Sequence, residues 1–212
     1  MSKVLLINGS PHEKGCTYTG LREAADTLNA NGVETEFVWI GKKPVAGCIA
    51  CQTCAKTGRC VFADKTNEIG DRIDEFDGII VGSPVYYGGP SGQICAFMDR
   101  LFYPRAEKMA GKLGACVISC RRGGASAAFD RLNKYFTMSN MIVVGSQYWN
   151  QIHGFTPGDV RKDEEGLQTM RTLGQNMAWL LRCIEAGKNA GIEKPVYEDK
   201  IFTHFIMPGF AE

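Results

Sequence analysis

The chain of 212 residues predicts a doubly wound α/β fold: a five-stranded parallel sheet in the order 2-1-3-4-5, with helices on both faces. Two observations carry this. Short, nearly continuous apolar runs recur along the chain, as in strands covered on both faces. Between them, apolar residues recur at the i, i+3, i+4, i+7 spacing of amphipathic helices. Strand–helix alternation of this kind requires βαβ units with right-handed crossovers.

The strands are expected at 3–7 (KVLLI), 33–40 (VETEFVWI), 78–81 (GIIV), 113–119 and 141–144 (MIVV). The first helix is marked by Leu21, Ala24, Ala25 and Leu28, and the next by Ile94, Phe97, Met98 and Leu101. Phe129, Leu132 and Phe136 form a shorter stripe. Leu167, Met170, Met177, Leu180, Leu181 and Ile184 form the last. The whole is a flavodoxin-like pattern, read as one domain over 1–212. Two stretches exceed it: a Cys-rich insertion at about 41–67, and residues 147–160, rich in Gly, Pro and aromatics. Long ordered loops are often functional.

The formal charge of +1 gives no reason to expect nucleic acid or an acidic membrane surface as partner. The first apolar run is too short for a signal peptide, and no stretch could cross a bilayer. The expected location is therefore cytoplasmic, where thiols stay reduced. Nine cysteines then need another explanation than a disulfide framework.

Strand one ends in Asn8-Gly9-Ser10-Pro11-His12-Glu13-Lys14-Gly15-Cys16-Thr17-Tyr18 and opens a helix. Small residues let the backbone approach an anion, hydroxyls add donors, and a helix N-terminus adds free N–H groups and a favourable dipole. A phosphate monoester suits such a loop. The dinucleotide pattern G-x-G-x-x-G and the NTPase pattern G-x-x-x-x-G-K-[ST] are both missing. Cys16 and Arg22 have the C-x₅-R spacing of tyrosine phosphatases, and an ordinary βα turn is the plain alternative. Strand three runs into Ser83-Pro84-Val85-Tyr86-Tyr87-Gly88, where a Pro and aromatics could lie along a flat ring or simply form a turn with core tyrosines. Strand four ends in Ser119-Cys120-Arg121-Arg122-Gly123-Gly124, a tight turn in which paired Arg is either solvated or turned to a ligand.

In order and spacing these loops resemble the NADPH-dependent FMN reductase branch of flavodoxin-like proteins, over about residues 3–185. The resemblance continues through Phe97-Met98-Asp99-Arg100, Tyr148-Trp149, Pro157-Gly158, Asp163 and Glu165-Gly166. It implies FMN, its phosphate held by Ser10, Pro11, His12, Gly15, Cys16, Thr17 and Tyr18. The ring would lie against Ser83 to Gly88 and against Ser119, Arg121, Arg122, Gly123 and Gly124. Where the family usually has Asn and often Arg, this chain has Cys16 and His12. Asp99 and Arg100 read equally as structural, interface or site residues. Tyr86, Trp149 or Phe155 could cover a pocket shared by nicotinamide and acceptor.

Cys48, Cys51, Cys54 and Cys60 follow C-x₂-C-x₂-C-x₅-C. Compact cysteine runs ligate [4Fe–4S] clusters, and this one resembles the motif of iron–sulfur flavoproteins, a sister branch. Zinc and metal-free thiols are the other readings. Cys95, Cys116 and Cys183 are expected in the core. No side-chain acid or base stands out, so the catalytic residues are unassigned. The leading expectation is an FMN-dependent oxidoreductase taking electrons from NAD(P)H to a quinone, a nitro or azo compound, or a flavin. The alternatives are an electron carrier fed by a ferredoxin-like donor, and a thiol redox sensor without enzymatic activity. Apolar residues Phe97, Leu101, Phe102 and Tyr103 beside Tyr86-Tyr87 lead one to expect a homodimer or homotetramer.

Overall fold

The computed structural model describes residues 1–201 and 203. Of the domain expected over 1–212, residue 202 and residues 204–212 lie outside the described residues. The elements run β1 (Lys3–Asn8), α1 (Cys16–Ala30), β2 (Glu34–Trp39), α2 (Thr53–Thr57), α3 (Lys65–Asp71), β3 (Gly78–Tyr86), β4 (Gly89–Pro90) and α4 (Gly92–Phe102). Then come α5 (Ala106–Met109), β5 (Leu113–Cys120), α6 (Ala125–Met138), β6 (Ile142–Val143), β7 (Gln151–His153), α7 (Pro157–Val160) and α8 (Glu164–Asn189). Among the described residues no helix is long and apolar enough to cross a membrane.

The sheet order is β2-β1-β3-β5-β6, the flavodoxin-like order expected. Side chains alternate across each strand, and β1 shows the consequence. Leu5 and Ile7 enter one core with Phe97, Met98, Leu101 and Phe136, under α4 and α6. Val4 and Leu6 enter the other with Leu21, Leu28, Leu173 and Met177, under α1 and α8. Gly174 lets α8 close on α1, since a Cβ there would stand 2.9 Å from the Ala24 carbonyl oxygen.

The fifth strand differs from its expected span of 141–144. It is two short pieces on one edge: β6 pairs with Leu113 and Gly114, and β7 with Ile118, Ser119 and Cys120. Between them the chain leaves the edge, and Ser146 Oγ donates to the Tyr148 carbonyl (2.6 Å). It returns where Asn150 accepts from Ile118 N (2.9 Å). The local pattern shows one apolar run, but β5 needs edge partners along its whole length, and the expected 147–160 loop supplies half of them.

Burial corrects two other expectations. Phe97, Leu101 and Phe102 are not an exposed cluster; they lie in the core, and of that group only Tyr103 is exposed. The stripe that marks α4 as a helix is the stripe that faces the sheet. Cys116 is buried as expected and Cys95 half-buried, but Cys183 lies on the solvent side of α8.

At the sheet's edge, Arg72 grips Glu36 of β2 with two parallel bonds of 2.8 and 2.9 Å. The Arg72 hydrogen bonds hold the Glu36 carboxyl at about 2, against an ordinary 4.5, with Lys3 assisting. A depressed carboxylate stabilises the fold above its unfolded pKa and loses that contribution as pH falls through the folded one. Glu36→Gln should therefore lower stability at neutral pH and flatten its decline between about pH 4.5 and 2, as read by urea denaturation across pH. Phe97→Ala should cost about 3–5 kcal/mol as a core truncation. The loss should be independent of protein concentration, whereas an interface residue would show a concentration-dependent midpoint.

Candidate functional site

Three βα loops meet at the carboxyl ends of β1, β3 and β5, and short bonds knit them together. Gly9 N donates to Gly82 O (2.8 Å), and Ser91 Oγ donates to Gly9 O (3.1 Å). Gly9 permits this approach, since a Cβ would stand 2.8 Å from Gly82 O. In the first loop Asn8 Oδ1 accepts from Ser10 N (3.0 Å), and Ser10 Oγ accepts from His12 N (3.1 Å). Asn8 Nδ2 donates to Glu13 O (2.9 Å), and the Trp39 indole N–H donates to Ser10 O (2.8 Å). The turn is thus held from inside, and α1 starts at Gly15 without a side-chain cap. The first-turn N–H groups of Cys16, Thr17 and Tyr18 have no intrahelical acceptor, and groups of this kind are able to receive an anion.

The predicted phosphate residues do not all point the same way. Thr17 is buried, and its hydroxyl lies 2.7 Å from that of Ser119 at the end of β5. Tyr18 packs on Phe37 with ring centroids 5.3 Å apart. The Cys16 thiol donates to the Gly154 carbonyl (3.7 Å), and burial pushes its pKa up. Arg22 is paired with Asp26 on the same helix at 2.6 Å. A thiol held protonated and an arginine turned away do not make a phosphatase loop. His12, Lys14, Gly15 and Cys16 line a cleft of about 480 Å³ with Trp39, Lys42, Phe155 and Pro157. Trp39 and Lys42 were not singled out in the sequence; the signal was their position at the carboxyl end of β2.

The second loop is a hairpin. Val85 and Tyr86 pair with Pro90 and Gly89 through a turn in which Tyr87 (φ 49°) and Gly88 (φ 80°) are both left-handed. Tyr86 and Tyr87 are exposed at its tip rather than core. Ser83 is buried and its Oγ accepts from Ser91 N (3.1 Å). Pro84 pairs beside Ser119. The third loop packs on this hairpin. Gly124, at φ 90°, begins α6, and a Cβ there would stand 2.8 Å from Gly88 Cα and from Val85 Cγ1. Arg121 and Arg122 are exposed beside Gly123, which faces open space.

The cysteine segment runs down α4. Gln93 in the first turn of α4 donates to the carbonyls of Gly41 and Lys43 (both 3.0 Å). Two turns on, the fully buried Arg100 spends all five donors on the segment. Nη1 reaches Ala46 O (3.2 Å) and Asp64 Oδ2 (2.7 Å), and Nη2 reaches Phe62 O (3.2 Å) and Asp64 Oδ1 (2.8 Å). Nε reaches Cys60 Sγ at 3.1 Å. Burial pushes the Asp64 carboxyl up, but the Arg100 bonds and the Thr66 N–H outweigh it and leave its pKa below the ordinary carboxylate value. Asn67 holds the Cys60 backbone from both sides, accepting from its N–H (3.0 Å) and donating to its carbonyl (2.8 Å). Of Asp99 and Arg100, then, Arg100 is an internal anchor, while Asp99 accepts a short bond from the Tyr135 hydroxyl.

Cys48, Cys51, Cys54 and Cys60 all line one cavity of about 110 Å³, with Ile49, Val61, Phe62 and Tyr103 as apolar walls. Ala50 (φ 53°) and Gln52 (φ 59°) hold left-handed conformations between the first three cysteines. Backbone strain of this kind persists where the surrounding structure demands it. The hydroxyl and N–H of Thr53 favour the thiolate of Cys51 and lower its pKa.

Strand order, knitted carboxyl-end loops and a bare helix N-terminus define a flavodoxin-like protein built to hold a phosphorylated planar ligand. The NADPH-dependent FMN reductase family matches residues 2–155, and the chain belongs to that family. It is 37% identical to an iron–sulfur flavoprotein of Methanocaldococcus jannaschii over 86% of this chain and 99% of the relative. A second, from Methanosarcina thermophila, is 30% identical over 88% and 99%. A flavodoxin, WrbA-like protein from Agrobacterium tumefaciens shares the fold with a TM-score of 0.62 and 17% identity, over 86% of this chain and 99% of that one.

The buried Thr17–Ser119 pair can be tested directly. Thr17→Val leaves the Ser119 hydroxyl unpaired in the interior, which should cost about 1–3 kcal/mol. The double variant Thr17→Val/Ser119→Ala should lose less than the sum of the single ones in denaturant titrations.

Proposed function

We propose that the protein is an FMN-dependent electron-transfer oxidoreductase in which Cys48, Cys51, Cys54 and Cys60 hold a [4Fe–4S] cluster. The observation that carries this reading is the single cavity lined by all four thiols. Among the described residues no three His, Cys, Asp or Glu side chains form a ready metal-ion site. Zinc would draw its sulfurs to about 3.8 Å from one another, given Zn–S bonds of ~2.3 Å. The compact C-x₂-C-x₂-C-x₅-C run is of the kind that ligates a cluster. The relatives' names agree with the reading.

When bound, FMN would exchange electrons singly or in pairs, and the cluster would exchange them singly. The phosphate falls to the first-turn N–H groups of α1, with Ser10, Pro11, His12 and Gly15 shaping the loop and Cys16, Thr17 and Tyr18 opening the helix. Ser83 to Gly88 and Ser119 to Gly124 flank the ring. Arg121 and Arg122 form no ion pair among the described residues, so their charge is free to stabilise an anionic reduced ring. Exposed Ile49, Val61 and Tyr103 around the cysteines offer an apolar rim to a ferredoxin-like donor. Reduction by NAD(P)H with a quinone, nitro, azo or flavin acceptor is the second reading. The cleft beside His12, walled by Trp39 and Phe155, favours it, because it has room for a planar substrate. Assembly as a dimer or tetramer belongs to the same proposal, resting on exposed Tyr86, Tyr87 and Tyr103. Cytoplasmic placement fits the nine free thiols.

Protein purified without oxygen should carry FMN rather than FAD, with about four irons and as many acid-labile sulfides per chain. Replacing any one of the four cysteines by Ser should lose iron and leave FMN bound. Iron-free protein with full NAD(P)H turnover would overturn the cluster and leave the second reading in its place.

A further inference from the structure

Cys60 differs from the other three cysteines in its surroundings. Its N–H, carbonyl and sulfur are all engaged by side chains from outside the motif: Asn67 takes the first two and Arg100 the third. Cys48 and Cys51 are exposed, and among the described residues no guanidinium or ammonium donates to either. The Arg100 charge itself is balanced by Asp64, which receives two of its five donors, and its plane lies over the Phe62 ring at 5.0 Å. The Arg100–Asp64 pair therefore sets how much positive charge reaches the Cys60 sulfur.

Resting on the reading of Cys60 as a cluster ligand, we propose that Arg100 tunes the cluster through a charge-assisted Nε–H···Sγ bond, with Asp64 as its counterweight. Hydrogen bonds to the sulfurs and the local charge are among the determinants of an iron–sulfur potential. Adding one electron increases the negative charge on the thiolate sulfurs while no bond to them breaks. A donor fixed on Cys60 Sγ is strengthened by that change, so it favours the reduced cluster and raises the potential. Arg100 is a positioning residue in this account and touches no substrate.

The two partners should act with opposite sign, which a purely structural role would not produce. Arg100→Gln removes the charge and should lower the midpoint potential. Arg100→Lys keeps the charge but loses the planar fork, and should lower it less. Asp64→Asn leaves Arg100 uncompensated and should raise it. The measurement is a mediated redox titration of the anaerobically purified, FMN-bound protein followed by electron paramagnetic resonance, with iron counted in each sample. Where the Arg100 variants fail to fold or to hold iron, Asp64→Asn decides by its sign. Iron-loaded variants with unchanged potentials, or a fall in Asp64→Asn, would overturn the proposal while leaving the cluster standing. Wild-type protein without iron would overturn both.

Discussion

A guanidinium keeps its charge at any pH a protein survives, so burying one commits the fold to satisfying it. Arg100 is buried to 1% of its surface, and every one of its five N–H groups has found an acceptor. Those acceptors come from residues 46 to 64, a stretch with one short helix, α2, and little apolar surface of its own. Hydrophobic burial could not order such a segment. Saturating one internal charge does, because leaving any acceptor out would strand a donor in the interior. Arg105 extends the anchor beyond α4. Its guanidinium lies against Gly70, where a Cβ would stand 2.1 Å from Cζ, and it donates to Asn67 (3.3 Å). Asn67 in turn grips Cys60.

The same helix serves both halves of the site. Its first turn is capped by Ser91, whose hydroxyl accepts from Ile94 N and donates to Gly9 O. Its ninth and tenth residues face the cysteine segment and the core, Arg100 toward the segment and Leu101 on the sheet side. From Gly92 to Arg100 the rise is about 12 Å at 1.5 Å per residue. The segment leaves the sheet at its carboxyl end, where Gln93 holds it, and reaches Cys60 that far down the flank. A rigid rod thus sets the separation between the loops at the sheet's end and the cysteine cavity.

The loops at the sheet's end rely on backbone approach rather than on charge. Gly9 against Gly82 and Gly124 against the Val85–Gly88 hairpin bring three connections within van der Waals contact. The strongly basic groups there, Arg121 and Arg122, stay at the rim. Beside these closely packed loops lies an open cleft bounded by His12, Trp39 and Phe155.

Strand order and both helical faces were determined by the sequence itself, because periodicity records which side of each element is apolar, and β1's Val4, Leu5, Leu6 and Ile7 leave no exposed side. The phosphate-type loop and the C-x₂-C-x₂-C-x₅-C spacing were equally plain, since their chemistry needs neighbours in the chain. Tertiary structure alone decided what depends on distant partners. Nothing near Phe97 or Phe102 says whether an apolar helix face meets the sheet or another chain. Nothing near residues 147–160 says that β5 lacks an edge partner for Ile118 to Cys120. Thr17 reads as a ligand hydroxyl until Ser119, 102 residues away, claims it. Arg100 reads equally as a structural, interface or site residue until five acceptors between residues 46 and 64 close around it, because the cost of a buried charge is a property of its surroundings and leaves no local trace in the chain.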